Sequence, residues 1–68
     1  SEVVRVYKER VGDFTIVTFL TTTGENFIVS SETAPFAIYL QEGDKVVLTY
    51  SKTGEDFQPV KALQIVGL

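Results

Sequence analysis

The chain has no cysteine, no histidine, no methionine and no tryptophan, and it has only two prolines. Without cysteine there are no disulfides, and without cysteine or histidine there is no thiolate or imidazole set for a structural zinc. The same absences remove the Ser/His and Cys/His pairings that activate a nucleophile, so an enzyme is not expected. The glycines are isolated from one another, and no glycine-rich phosphate loop is present. No apolar run approaches the roughly 18 residues of a membrane-spanning helix, and the first residues lack the pattern of a signal peptide. The lack of cysteine points to the cytoplasm. The chain starts at Ser1 rather than at a methionine, which leaves room for a removed targeting segment.

What is present reads as one small domain over residues 1–68. A chain of this length buries only about 60% of its unfolded surface. With no disulfide or metal to help, its stability has to come from apolar packing, aided or not by oligomerisation. The composition allows this: 44% of residues are hydrophobic and 12% aromatic, with Val, Ile, Thr and Phe prominent. Those residue types suit pleated, half-buried surfaces. The formal charge of −3 opposes a general polyanion binder, whose affinity rests on Lys and Arg neutralising phosphates.

Taken in order, Glu2 to Arg10 reads as a first strand, with Val4 and Val6 alternating against Val3, Arg5 and Tyr7. Val11-Gly12-Asp13 forms the first turn. Phe14 to Thr22 is the second strand, Thr22-Thr23-Gly24 a loop of the type I plus G1 bulge kind, and Asn26 to Ser30 the third strand. That loop sets a register in which Thr21 faces Glu25, Phe19 faces Phe27 and Val17 faces Val29. Phe19, Phe27, Val17 and Val29 share the core face. Phe14, Ile16, Thr18, Leu20, Ile28 and Ser30 take the other, which is unusually apolar for a solvated surface.

Ser30 to Asp44 is the one stretch that is neither strand nor tight turn. Thr33 is placed as an N-cap and Pro35 in a first helical turn. Phe36, Tyr39 and Leu40 fall on one helical face, and Gly43 ends the element. The reading is a two-turn helical plug under the sheet. Lys45 to Ser51 forms the fourth strand, with Val46, Leu48 and Tyr50 on one face. Lys52-Thr53-Gly54 resembles the earlier turn, and Phe57 to Val66 is the fifth strand. Pro59 belongs at an edge or bulge. Val60 and Ala62 fall on one face and Leu63 and Ile65 on the other, which also asks for a bulge. Thr23-Gly24-Glu25-Asn26-Phe27 is echoed by Thr53-Gly54-Glu55-Asp56-Phe57, two uses of one turn chemistry more readily than a duplication.

Five strands with a short helix between the third and fourth is the element order of the OB-fold. The segments Gly12-Asp13-Phe14-Thr15-Ile16-Val17-Thr18-Phe19, Leu40 to Leu48 and Val60 to Val66 make the chain resemble small bacterial OB-fold domains. The resemblance implies a mainly β, five-stranded barrel with a helix between strands three and four. It also implies a ligand face across the second and third strands, flanked by the first-to-second and fourth-to-fifth loops. An SH3-like barrel is the alternative, ranked second because its insertion would precede the last strand. Acidic charge and the absence of Trp depart from the nucleic-acid-binding members.

Two patterns point to binding. The outer face of the second hairpin carries Ile16, Thr18, Leu20 and Ile28, and exposed apolar patches mark interaction sites. Against this, a coiled small barrel can wrap part of both faces. Separately, Arg5, Tyr7, Lys8 and Arg10 gather along the first strand, with Lys52 and Phe57 around the last hairpin. Cations beside aromatic rings are what single-strand binders use, although basic residues at strand edges also block edge-to-edge pairing. The first pattern predicts a non-catalytic module for a protein partner or self-association, and the second a weak single-stranded nucleic-acid binder. No cofactor or metal is expected. Glu42-Gly43-Asp44 and Glu55-Asp56 are the only faint cation candidates, and their carboxylates fit turn chemistry better.

Overall fold

The period-two alternation becomes five strands in the computed structural model, which describes residues 1–67; Leu68 lies outside them. They are β1 (Val3–Val11), β2 (Phe14–Thr21), β3 (Asn26–Ser30), β4 (Val46–Tyr50) and β5 (Phe57–Ile65). A 3₁₀ turn, Pro35–Tyr39, lies between β3 and β4. The sheet order is β1-β2-β3-β5-β4. All neighbours are antiparallel except β3 and β5, which run parallel.

The sheet stops short of closing into the expected barrel. Its edge strands β1 and β4 meet at one bridge, Glu2 with Lys45. Beside it, Val3 N donates to Asp44 O at 2.8 Å, Gly43 N to Val3 O at 2.7 Å, and Ser1 and Val46 exchange bonds of 3.0 and 2.8 Å.

The β2–β3 hairpin has the expected register, with Val17 opposite Val29 and Phe19 opposite Phe27. All four are buried, and the Phe19 and Phe27 rings stack with centroids 5.4 Å apart. Tyr50 of β4 meets Phe27 edge-on at 4.8 Å. In the hairpin loop Thr21 N donates to Glu25 O, Gly24 N donates to Thr21 O, and Gly24 takes φ +88°, as a G1 bulge requires.

Two bulges interrupt the alternation. In β1, Val3 pairs with Thr21 and Arg5 with Leu20, so Val4 is the extra residue. The parity flips there: Val3 is fully buried, Val6 packs on the core, and Val4 is exposed. The expected Val4/Val6 face is thereby corrected. In β5, Tyr50 pairs with Val60 and Thr49 with Ala62, leaving Lys61 extra. This is the bulge that the split of Val60 and Ala62 from Leu63 and Ile65 asks for; Pro59, expected at an edge or bulge, instead lies in the interior strand β5 opposite Ile28. It lets Gln58, Val60, Leu63 and Ile65 all point inward.

The plug differs from its expected form. It is a 3₁₀ turn, held by i→i+3 bonds from Ala37 N to Ala34 O and from Leu40 N to Ala37 O. Three residues per turn align Ala34, Ala37 and Leu40, and these are the buried ones. Phe36, Ile38 and Tyr39 are exposed, Tyr39 at 61%. The α-helical stripe Phe36/Tyr39/Leu40 is therefore corrected to a three-residue period. Ala34, not Thr33, occupies the N-cap, with no side-chain cap. Gly43 does not end the helix. It sits at φ +93° in a separate turn closed by Asp44 N to Gln41 O at 3.2 Å, the third position of a type II turn.

The second TGE copy adopts a different conformation from the first. Gly24 has positive φ and Gly54 does not. Residues 51–56 form a longer loop built around Gln58, whose side chain is buried. Gln58 Oε1 accepts from Thr53 N at 2.6 Å and from Thr53 Oγ1 at 3.3 Å, and its Nε2 donates to Glu55 O at 2.9 Å. Gln58→Ala removes this bracket. The expected loss is about 1–2 kcal/mol, read as a lower denaturant midpoint together with faster amide exchange at Thr53. Unchanged exchange at Thr53 would show that the loop is ordered by something else.

Candidate binding face

The alternation that buries Val17, Phe19, Phe27 and Val29 sends their neighbours to the outer face. Strand register then aligns residues from four strands into rows. Arg5, Leu20, Asn26 and Phe57 make one row, and Tyr7, Thr18, Ile28 and Pro59 the next. Glu9, Ile16 and Ser30 continue it. Directly opposed residues have Cβ atoms about 4.5–5.5 Å apart, so each row is a continuous strip of side chains.

Five of the residues picked out from sequence meet here. Arg5, Tyr7, Thr18, Leu20 and Phe57 line a shallow cleft of about 210 Å³, with Asn26 beside them. Tyr7 is 62% exposed and Phe57 42%. Ile16, Thr18, Leu20 and Ile28 are half-buried. Thr18 Oγ1 donates to Tyr7 O at 3.4 Å, a weak tie between β1 and β2. Asn26 is absent from the sequence-based selection. The hairpin register already sets it opposite Leu20, but its place beside Phe57 needs the parallel β3–β5 pairing.

The remaining cations go elsewhere. Past the β1 bulge, Lys8 falls on the side of Val6, opposite to Arg5 and Tyr7. Its Nζ donates to Ile38 O at 2.6 Å, so it serves the carbonyl end of the 3₁₀ turn. It also lines a second cleft, of about 370 Å³, with Ile38, Tyr39, Gln41 and Asp44. Arg10 Nε donates to Gly12 O at 3.2 Å, closing on its own turn. Lys52 is exposed in the 51–56 loop and does not line the outer cleft. The apparent basic cluster of β1 is thus split between two faces by strand geometry.

The charge of the face is local. Of nine acidic residues, only Glu9 stands in the rows, beside a single cation, Arg5. The others lie at turns or strand ends. Asp44 Oδ2 accepts from Gln41 N at 2.9 Å, and Glu25 Oε1 accepts from the Tyr50 hydroxyl at 3.4 Å. Among the described residues, no three carboxylates gather in a way that would hold a metal ion. No described helix is long and apolar enough to cross a membrane.

No protein-family model matches the chain, and no curated protein or solved structure matches it either. The face therefore has to be interpreted from its own chemistry.

Proposed function

We propose that this chain is a non-catalytic binding module of OB-fold type, whose outer face takes a protein surface, either a partner or a second copy. The OB-fold reading is supported by the strand order, the parallel β3–β5 pair and the 3₁₀ turn between β3 and β4. In this reading the barrel is of the partly open kind, parted along the β1–β4 seam. The observation that carries the binding reading is the uncharged, half-buried stripe Ile16, Thr18, Leu20 and Ile28 at the centre of a sheet face. Protein-binding patches have such charge-depleted centres with aromatic and arginine residues around them, here Tyr7, Phe57 and Arg5.

Charge placed in that centre is the test. Ile16→Glu and Ile28→Glu are expected to abolish self-association or partner retention, measured by sedimentation and co-purification. Both variants are expected to keep a cooperative thermal transition close to that of the parent chain. Loss of the folded state in either variant would make these residues core and end the reading.

A second reading has one specific observation behind it. Tyr7 and Phe57 flank Arg5 and Asn26 around one cleft, the ring-plus-cation arrangement on which unpaired bases stack. The single cation and the overall charge weigh against it. If single-stranded nucleic acid is the ligand, a short oligonucleotide binds at low salt, and affinity falls with a slope of about 0.7 per phosphate contact. A flat titration at low salt removes this reading.

A further inference from the structure

We propose that the occupant of the outer face is a second copy of this chain, packed sheet to sheet about a two-fold axis along the row Tyr7, Thr18, Ile28 and Pro59. This rests on the reading of that face as a protein-binding surface, and it names the partner.

The rows of the face are self-complementary. The row from Tyr7 to Pro59 is the central one of three. A half-turn about an axis along it lays one face on another, keeps each strand over its own copy and exchanges the two outer rows. A two-fold interface has to match itself under that exchange. Arg5 stands in the row of Leu20, and Glu9 in the row of Ile16. Arg5 therefore comes over Glu9 of the second copy, and Glu9 over its Arg5. Leu20 and Ile16 exchange in the same way, so apolar meets apolar. On β3, Asn26 and Ser30 exchange, so polar meets polar. Ile28 meets itself beside the axis. A half-turn about the strand direction, between β2 and β3, does worse. It sets Leu20 over Asn26 and Ile16 over Ser30, and it takes Arg5 away from Glu9.

The charges favour a second copy over another protein. Arg5 and Glu9 are both exposed. They lie four residues apart on one strand, about 13 Å, so they cannot pair within one copy. A second copy pairs both at once. Such complementarity fixes partner and register more than it adds affinity. The two charges also cancel, so the chain's net charge of −3 falls outside these rows. Three rows across four strands cover roughly 20 Å by 20 Å, about 400 Å² per copy. That is about half the area of a standard interface, so the dimer is weak and concentration-dependent.

Sedimentation equilibrium at low salt tests this, with the chain taken to about 1 mM, the range that so small a contact calls for. The parent chain is expected to self-associate. Arg5→Glu sets Glu against Glu at both ends of the contact, and Glu9→Arg sets Arg against Arg. Each variant alone is expected to associate roughly fivefold more weakly or worse. An equimolar mixture of the two restores both attractive pairs, and is expected to form a heterodimer about as tight as the parent's dimer. A mixture that associates no better than its components overturns the proposal. So does unaltered association of either variant, and so does a parent that stays monomeric at the highest concentration. If that monomeric parent retains a co-purifying protein which Ile16→Glu releases, the second copy is ruled out while the face still stands as a protein-binding surface. If no such protein is retained either, both fall.

Discussion

Leu40→Ala is expected to cost about 2–5 kcal/mol, whereas Tyr39→Ala, one residue earlier, stays within about 0.5–1 kcal/mol. Leu40 is fully buried at the end of the 3₁₀ turn and packs in the core with Val3 and Val46. Tyr39 is 61% exposed. The contrast is a direct test of the phase of the turn, because an α-helix that buried Phe36, Tyr39 and Leu40 together would make both truncations costly. A domain of this length has a total stability of about 3–10 kcal/mol. Leu40→Ala therefore removes a large part of it, while Tyr39→Ala leaves the urea midpoint nearly where it was. Similar losses for the two variants would refute the three-residue period.

Phe27→Ala is expected to be the most damaging single truncation in the sheet, at about 3–5 kcal/mol. Phe27 joins two aromatic contacts, stacked on Phe19 and edge-on to Tyr50. Through Tyr50 it links the β2–β3 hairpin to β4, strands that are not neighbours in the sheet. Its loss opens a cavity between the hairpin and β4, which are otherwise joined only through β5, the strand paired with both. The variant is expected to be largely unfolded at 25 °C by far-UV circular dichroism. Ile28→Ala, the adjacent residue on the opposite face and half-buried, is expected to lose no more than about 1 kcal/mol. A strand slip of one residue would invert these two results.

These two variants also mark where the sequence could be read and where it could not. Phe27 was legible because a loop chemistry and a strict alternation act over a dozen neighbouring residues. Thr22-Thr23-Gly24 sets the loop, the loop sets the register, and the register puts Phe19 on Phe27. Leu40 was legible as apolar but its partners were not. The i, i+3, i+4 spacing of Phe36, Tyr39 and Leu40 suits an α-helix, yet the segment is too short to hold α-helical bonds without packing. Packing selected the 3₁₀ phase, which buries the two small alanines against the sheet and leaves the two large rings outside.

The candidate face divides the same way. Its central stripe of Ile16, Thr18, Leu20 and Ile28 follows from alternation alone. Its rim does not. Alternation already separates Arg5 and Tyr7 from Lys8; the one-residue bulge at Val4, invisible in local sequence, decides that Val3 and Val6 both turn to the core and so which side of the sheet Arg5 and Tyr7 take. Phe57 joins Asn26 only through a parallel pairing between residues 31 positions apart. The two TGE copies make the point again: identical residues hold a positive-φ glycine in a tight hairpin, and lose it where a buried glutamine organises the loop.

By itself, the sequence determined the core of the β2–β3 hairpin, the existence of five strands and their succession along the chain, the β2–β3 register and the lack of thiol and imidazole groups. Those properties depend on residue type and on contacts a few positions apart. Only the tertiary structure decided the phase of the plug, the side of the sheet that Arg5 and Tyr7 take and the cleft beside Phe57. Each of these turns on the relative placement of distant strands, where one inserted residue changes which side of the sheet every later side chain takes.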